Sequence, residues 1–179
     1  MSVSEPTPSR SLRGDAILTD PLLQELLAVR LVGVLATLEP DGSVHAVPMW
    51  LSGEGGEIVL ATGSRSRKAR NLERDSRATL VLHDSRPGAE VCGVSLRGRV
   101  ELVRGDEAKS LVARVHRHYV EPDGLRLAEV EAFLGFDDVA LRFHPEIAVT
   151  WDERGSDAAR ALRESGHALP IEPTTPRAL

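Results

Sequence analysis

The sequence predicts a mainly β (α+β) protein, an antiparallel β-barrel with flanking helices. Three observations carry this expectation. Between residues 91 and 103 the chain alternates strictly, with Val94, Leu96, Val100 and Leu102 on one side and Ser95, Arg97, Arg99 and Glu101 on the other. That period of two belongs to a half-buried strand. Other apolar runs of strand length are separated by tight turn signals at Glu39-Pro40-Asp41-Gly42, at 53–56 and at Arg86-Pro87-Gly88. Only two or three segments carry a helical period, and the glycine-rich strand-to-helix turn of a P-loop or acyl-transfer fold is missing.

The elements follow in order. Residues 1 to 15 are polar, rich in Ser, Pro and Arg, and are expected to form a disordered tail. Asp20 caps a short helix with Pro21 at its first position and Leu22, Leu23, Leu26 and Leu27 as its apolar face. Leu31 to Leu38 is apolar on both faces and is expected as a buried strand. Val44 to Leu51 is a second strand, in which Pro48 removes one ladder hydrogen bond and implies an edge or a bulge. Glu57 to Thr62 is a third, leading into a basic helix that runs to about Asp75. Ala78 to His83 precedes the alternating strand, where Gly98 leaves a gap on the apolar side that implies a bulge or a closely approaching ligand.

Ala108, Leu111, Val112, Val115 and Tyr119 mark an amphipathic helix from about Asp106, and a second short helix is expected around Leu127 to Leu134. Val139 to Phe143 and Ile147 to Trp151 are two closing strand segments separated by His144-Pro145. A short helix near Ala158 to Arg163 then gives way to a Pro/Thr end. The expected organisation is a tail over 1–15, one folded domain over 16–152, and a partly helical or disordered tail over 153–179. There is no internal repeat.

Composition narrows the function. The 179 residues carry a net charge of −5 and only 3% aromatics, which argues against a stacking platform for single-stranded nucleic acid. Cys92 is the sole cysteine, so an intrachain disulfide and a cysteine-based metal centre are both excluded. The first residues lack the apolar run of a signal peptide and no apolar stretch is long enough to span a membrane, so a cytoplasmic protein is expected.

The most informative stretch is Thr62 to Leu72, TGSRSRKARNL. Ser66 is a natural N-cap, yet the first helical turn holds Arg67 and Lys68, followed by Arg70. Cations there oppose the helix dipole at a cost of about 0.3 to 1 kcal/mol each. The violation makes sense if backbone N–H groups, a hydroxyl and cationic side chains converge on one phosphate. Six of the thirteen residues from Arg65 to Arg77 are basic, against Glu73 and Asp75. A basic island on an acidic chain fits a local anionic ligand better than a general affinity for polyanions, although a solvated basic face would look the same in sequence.

Other candidates have plainer readings. His116 and His118 stand two apart on the amphipathic helix, on nearly opposite sides, and are expected to be solvated and unable to share a metal. His45 is expected to point outward from its strand. Asp84 suits the turn after His83, and Cys92 is a small strand residue rather than a reactive thiol. Ser64 has no acid–base partner nearby in sequence, so a nucleophile role is unsupported.

The segment ATGSRSRKARNL resembles the pattern of the flavin-binding split-barrel family that includes pyridoxamine 5′-phosphate oxidase and the actinobacterial deazaflavin (F420)-dependent reductases. Leu35-Ala36-Thr37 with Asp41-Gly42, then Val47-Pro48-Met49-Trp50, then Leu96-Arg97-Gly98, occur in that family's order, and the resemblance covers roughly Leu22 to Trp151. It implies a split β-barrel homodimer with a cofactor at the subunit interface. Thr62, Ser66, Arg67 and Lys68 would hold the cofactor phosphate. The backbone of Val47, Pro48 and Met49 would lie along the ring, with Trp50 close by.

There are departures from the oxidase branch. An arginine and a lysine that pyridoxamine phosphate oxidases carry around the second strand are replaced here by Ala46 and Ser52 or a near neighbour. Arg142-Phe143-His144 imitates the oxidases' C-terminal Arg-x-His but precedes Pro145 in a segment that resembles the reductases' closing strand. The resemblance thus implies hydride transfer between F420, or failing that FMN, and a small organic substrate. The alternatives are a flavin- or heme-binding storage protein without turnover and an FMN-dependent pyridoxamine phosphate oxidase-like enzyme. No metal site and no nucleic-acid or membrane partner is expected.

Overall fold

The computed structural model describes residues 9–84, 91–134 and 137–166. Eight strands form one antiparallel sheet: β1 (Arg10–Arg13), β2 (Gly33–Leu38), β3 (Val44–Met49), β4 (Leu51–Ser52), β5 (Ile58–Gly63), β6 (Arg77–Asp84), β7 (Cys92–Val103) and β8 (Asp138–Asp152). The helices are α1 (Pro21–Ala28), α2 (Arg67–Arg74), α3 (Gly105–Tyr119), α4 (Pro122–Leu125), α5 (Ala128–Leu134) and α6 (Asp157–Ser165). The strand order is β3-β2-β6-β7-β8-β5-β4, with β1 also pairing with β8. This curled sheet with its flanking helices is a split β-barrel. The expected turn at Arg86-Pro87-Gly88 and the Pro/Thr end lie outside the described residues.

Local chemistry sets the helix starts. Asp20 accepts from the amides of Leu22 and Leu23, Pro21 opens α1, and the four leucines 22, 23, 26 and 27 are buried. They close the main core, which includes Leu35, Leu60, Leu80, Leu96 and Leu141. A second cluster joins Val59 and Ala140 to Ala108, Leu111, Val112 and Val115 of α3, so β5 and β8 are covered on both faces. Among the described residues no helix is long and apolar enough to cross a membrane.

Three expectations are corrected. Residues 10–13 of the supposed tail form β1, because β5 pairs only with 138–143 of β8 and leaves the groups of 147–150 to be satisfied. The closing strand is not interrupted at His144-Pro145. It runs for 15 residues, and Pro145 sits at a register shift opposite Gly98, where a missing N–H is tolerated. The gap at Gly98 therefore admits backbone, not a ligand: a Cβ there would stand 2.0 Å from the His144 carbonyl oxygen. Finally, β2 is buried on one face only, with Leu35 enclosed and Val34 41% exposed, since no helix covers the outer side.

Candidate cofactor site

The loop from Thr62 to Lys68 is assembled by hydroxyls. Ser66 caps α2 by accepting from the Ala69 amide at 3.2 Å, and the Thr62 hydroxyl donates to Ser66 Oγ at 3.1 Å. With both acceptor positions of Ser66 engaged, its own proton points away from the cap and is free to donate. The Arg67 and Lys68 amides are the first two of the helix, whose N–H groups have no intrahelical acceptor. Lys68 is half-buried, and among the described residues its ammonium has no hydrogen-bond or ion-pair partner. Burial alone pulls its pKa down. A half-buried cation near free N–H donors favours an anion.

Arg67 behaves differently from Lys68. It faces Glu39 at 3.7 Å and, with Arg70 and Arg74, lines a cleft of about 650 Å³ beside α2. Arg70 is held by the Arg65 carbonyl and Arg74 by that of Leu38, neither of which neutralises a charge. Asn71, which sequence reasoning passed over, is buried and donates to the Thr37 hydroxyl at 3.2 Å, fixing α2 against β2. Its place one turn after Arg67, on the side of Leu72, was a readable signal. His45 is half-buried and stands 4.0 Å from Glu39. Ser64, without a partner in the sequence, donates to Asp137 at 2.5 Å.

The second group of candidates lies at the end of β3. Val47 and Pro48 are on a strand at the border of the sheet, Val47 half-buried and Pro48 exposed, while the Met49 side chain is buried in the core. Only backbone from Met49 can therefore line a pocket. Trp50 falls between β3 and β4, 43% exposed, with one face stacked on Tyr119 at 4.6 Å. The Tyr119 hydroxyl donates to the Leu31 carbonyl at 2.5 Å and accepts from the Leu51 amide at 3.2 Å. It pins the chain where β3 breaks. Tyr119→Phe leaves both backbone groups without that partner, and a loss of about 1 to 3 kcal/mol in a denaturant titration is expected.

The histidine expectation fails for His116. It is 7% exposed on the inner side of α3, and its ring meets Trp50 edge-on at 6.4 Å, whereas His118 turns to the Val29 carbonyl. The signal was present: position 116 follows Val112 by four and precedes Tyr119 by three, so it shares their stripe. Asp138 supplies the charge that His116 feels, and burial moves the two in opposite directions, His116 down and Asp138 up. Asp138 pairs in register with Gly63. His116 thus meets Trp50 on one side and feels Asp138, the register partner of Gly63, on the other.

A family model described as Pyridoxamine 5'-phosphate oxidase matches residues 19–152. The chain belongs to that family. Among solved structures it is similar to the conserved hypothetical protein Rv2991 of Mycobacterium tuberculosis, at 28% identity and TM-score 0.65, over 92% of this chain and 97% of the other. It is also similar to an F420 reductase, at 26% identity and TM-score 0.56, over 70% of this chain and 94% of the other. A heme binding protein from Mycobacterium smegmatis shares the fold at 23% identity and TM-score 0.56, over 84% and 61% of the two chains. None of the curated proteins matches.

Membership does not make Arg142-Phe143-His144 a phosphate grip. Arg142 ion-pairs with Glu57, Glu101 and Glu107 at 3.1, 2.9 and 2.6 Å, and His144 stands 3.3 Å from Glu101. Those carboxylates hold the guanidinium pKa above its ordinary value. An arginine enclosed by three carboxylates has little attraction left for a phosphate.

Proposed function

We propose that this chain is a homodimeric oxidoreductase that binds a phosphorylated deazaflavin or flavin, F420 first and FMN second, and acts on a small organic substrate. The observation that carries the reading is Lys68, half-buried in the first turn of α2 and, among the described residues, without a counter-anion. Phosphate fits this donor set. Thr62 orients Ser66, Ser66 and the amides donate, and Lys68 neutralises. Arg67 would strengthen the same end from the cleft side. The border strand Val47–Met49 and Trp50 offer a flat surface for the ring. Bound there, such a cofactor supplies hydride chemistry, while the protein positions it and excludes water.

F420 is preferred because Arg142 is engaged elsewhere and the second-strand arginine of the oxidases is absent at Ala46. The similarity to an F420 reductase supports the same choice. Titrating apoprotein separately with FMN and with F420 tests the reading. Binding of neither defeats it. Binding of one without faster oxidation of the reduced form by any acceptor makes the protein a store or sensor instead.

The dimer has its own support. Val34 and Val44 are 41% and 65% exposed, and register places Val44 beside Leu38 and Val34 beside Pro48 on the uncovered side of the sheet. A groove of about 410 Å³ lies over that side, with Ala36, Leu38 and Val44 at its apolar end and Arg77, Arg97 and Glu146 at its charged one. An apolar sheet face without a covering layer calls for a partner. Val44→Glu is expected to raise the dimer dissociation constant at least tenfold by sedimentation, since it would bury a carboxylate. A wild-type chain that sediments as a monomer with full cofactor affinity would refute the dimer.

A further inference from the structure

We propose that His116 is a ligand-facing residue: its imidazole, with Asp138 behind it, is the hydrogen-bonding end of the pocket beside Trp50 and donates a ring N–H to a carbonyl-type oxygen on the flat ring seated there. The inference rests on the reading of the site as a cofactor pocket and adds a residue and a proton to it.

Buried polar side chains are nearly always hydrogen-bonded. His116 is 7% exposed, and among the described residues neither ring nitrogen has a hydrogen-bond partner, while both keep a little access to the surface, as atoms that face an opening would. The contrast with His118, which reaches the Val29 carbonyl at 3.4 Å, shows that α3 can satisfy a histidine when it packs against protein alone. Around His116 stand instead a half-exposed indole and a carboxylate. Trp50 is fixed by Tyr119 on one face and 43% exposed. The Asp138 carboxylate oxygen lies 3.8 Å from where a Cβ on Gly63 would be, at the mouth of the loop that leads to Ser66 and Lys68. A ring against Trp50 with its phosphate at Lys68 would pass this point.

The charges facing His116 can be named element by element. β4 (Leu51–Ser52) and β5 (Ile58–Gly63) carry no titratable side chain. β8 contributes Asp138, on which Asp137 acts in turn, and α3 itself contributes Tyr119. Burial lowers its pKa against the opposing pull of Asp138, which favours the neutral ring in the free protein. An acceptor oxygen on a ring nitrogen stabilises the imidazolium and raises that pKa on binding. Binding then takes up a proton, so affinity increases as pH falls through the histidine range.

The test follows the imidazole nitrogen resonances of His116 in the wild-type chain, assigned by elimination, while FMN or F420 is added. Those resonances are expected to shift on binding. Affinity measured from about pH 8 to about pH 5.5 is expected to rise toward acid more steeply in the wild type than in His116→Gln, by up to about tenfold per pH unit. The second ionisation of the FMN phosphate is common to both proteins and cancels. Lys68→Ala should lower affinity at every pH with the wild-type slope. Binding with unmoved His116 resonances overturns the inference and leaves the cofactor reading standing. Failure of both cofactors to bind overturns the two together. Because the resonance arm uses the wild-type chain, a folding defect in His116→Gln leaves it decisive.

Discussion

Lys68→Ala is expected to weaken binding of the phosphorylated cofactor by one to two orders of magnitude, with the apoprotein as stable as the wild type or more so. The first half follows from losing one charge-assisted hydrogen bond, about 1.5 to 3 kcal/mol, from a site that holds a single well-placed ammonium. The second half has two causes of the same sign. Lys68 stands in the first turn of α2, where a cation opposes the dipole, and burial already disfavours its charged form. A base whose pKa is lowered by folding detracts from stability below that pKa, so removing it relieves the fold over the whole neutral range. Calorimetric titration and a thermal melt on one variant separate the possibilities. A solvated lysine would move neither quantity, and a structural one would lower the melting temperature.

Gly98→Ala should be the most damaging added methyl among the described glycines. The added Cβ would lie 2.0 Å from the His144 carbonyl oxygen and 2.9 Å from its carbon and from Pro145 Cα, all backbone. A side chain can turn aside, but here β7 and β8 must separate at the bulge that lets Pro145 stay in the strand. A loss of about 3 kcal/mol is expected, at the upper end for overpacking. For a chain of this length that is a fall of roughly 6 to 12 °C in melting temperature. Gly155→Ala, with nothing within 4 Å of its new atom, is the control and should be near neutral. Equal melting temperatures for the two variants would contradict the close approach of β7 and β8.

Much of this molecule was legible in one dimension, for a definite reason. The alternation of 91–103, the Asp20 and Ser66 caps and the 108–111–112–115–119 stripe are relations among residues a few positions apart, where backbone period and capping chemistry decide the outcome. The ordered motifs from Thr37 to Gly98 placed the chain in its family because that signal is also carried by the chain's order. The opposition between Arg67 and Lys68 and the helix dipole is likewise a local relation, and the proposed anion site starts from it.

What the tertiary structure alone decided depends on which distant segment stands opposite. Arg10–Arg13 is a strand because half of β8 needed a partner, and Pro145 stays in its strand because Gly98 gives way across the ladder. Arg142 is neutralised by Glu57 just before β5, by Glu101 of β7 and by Glu107 of α3, so its triplet cannot be read from its neighbours. His116 is withdrawn from water by Trp50 and faces Asp138, residues separated from it by 66 and 22 positions (116 − 50 and 138 − 116). Burial, charge and hydrogen-bond partners are properties of the space around a side chain. Lys68 shows the difference: sequence identified it as a cation out of place, and only the fold left it half-buried with no anionic partner among the described residues.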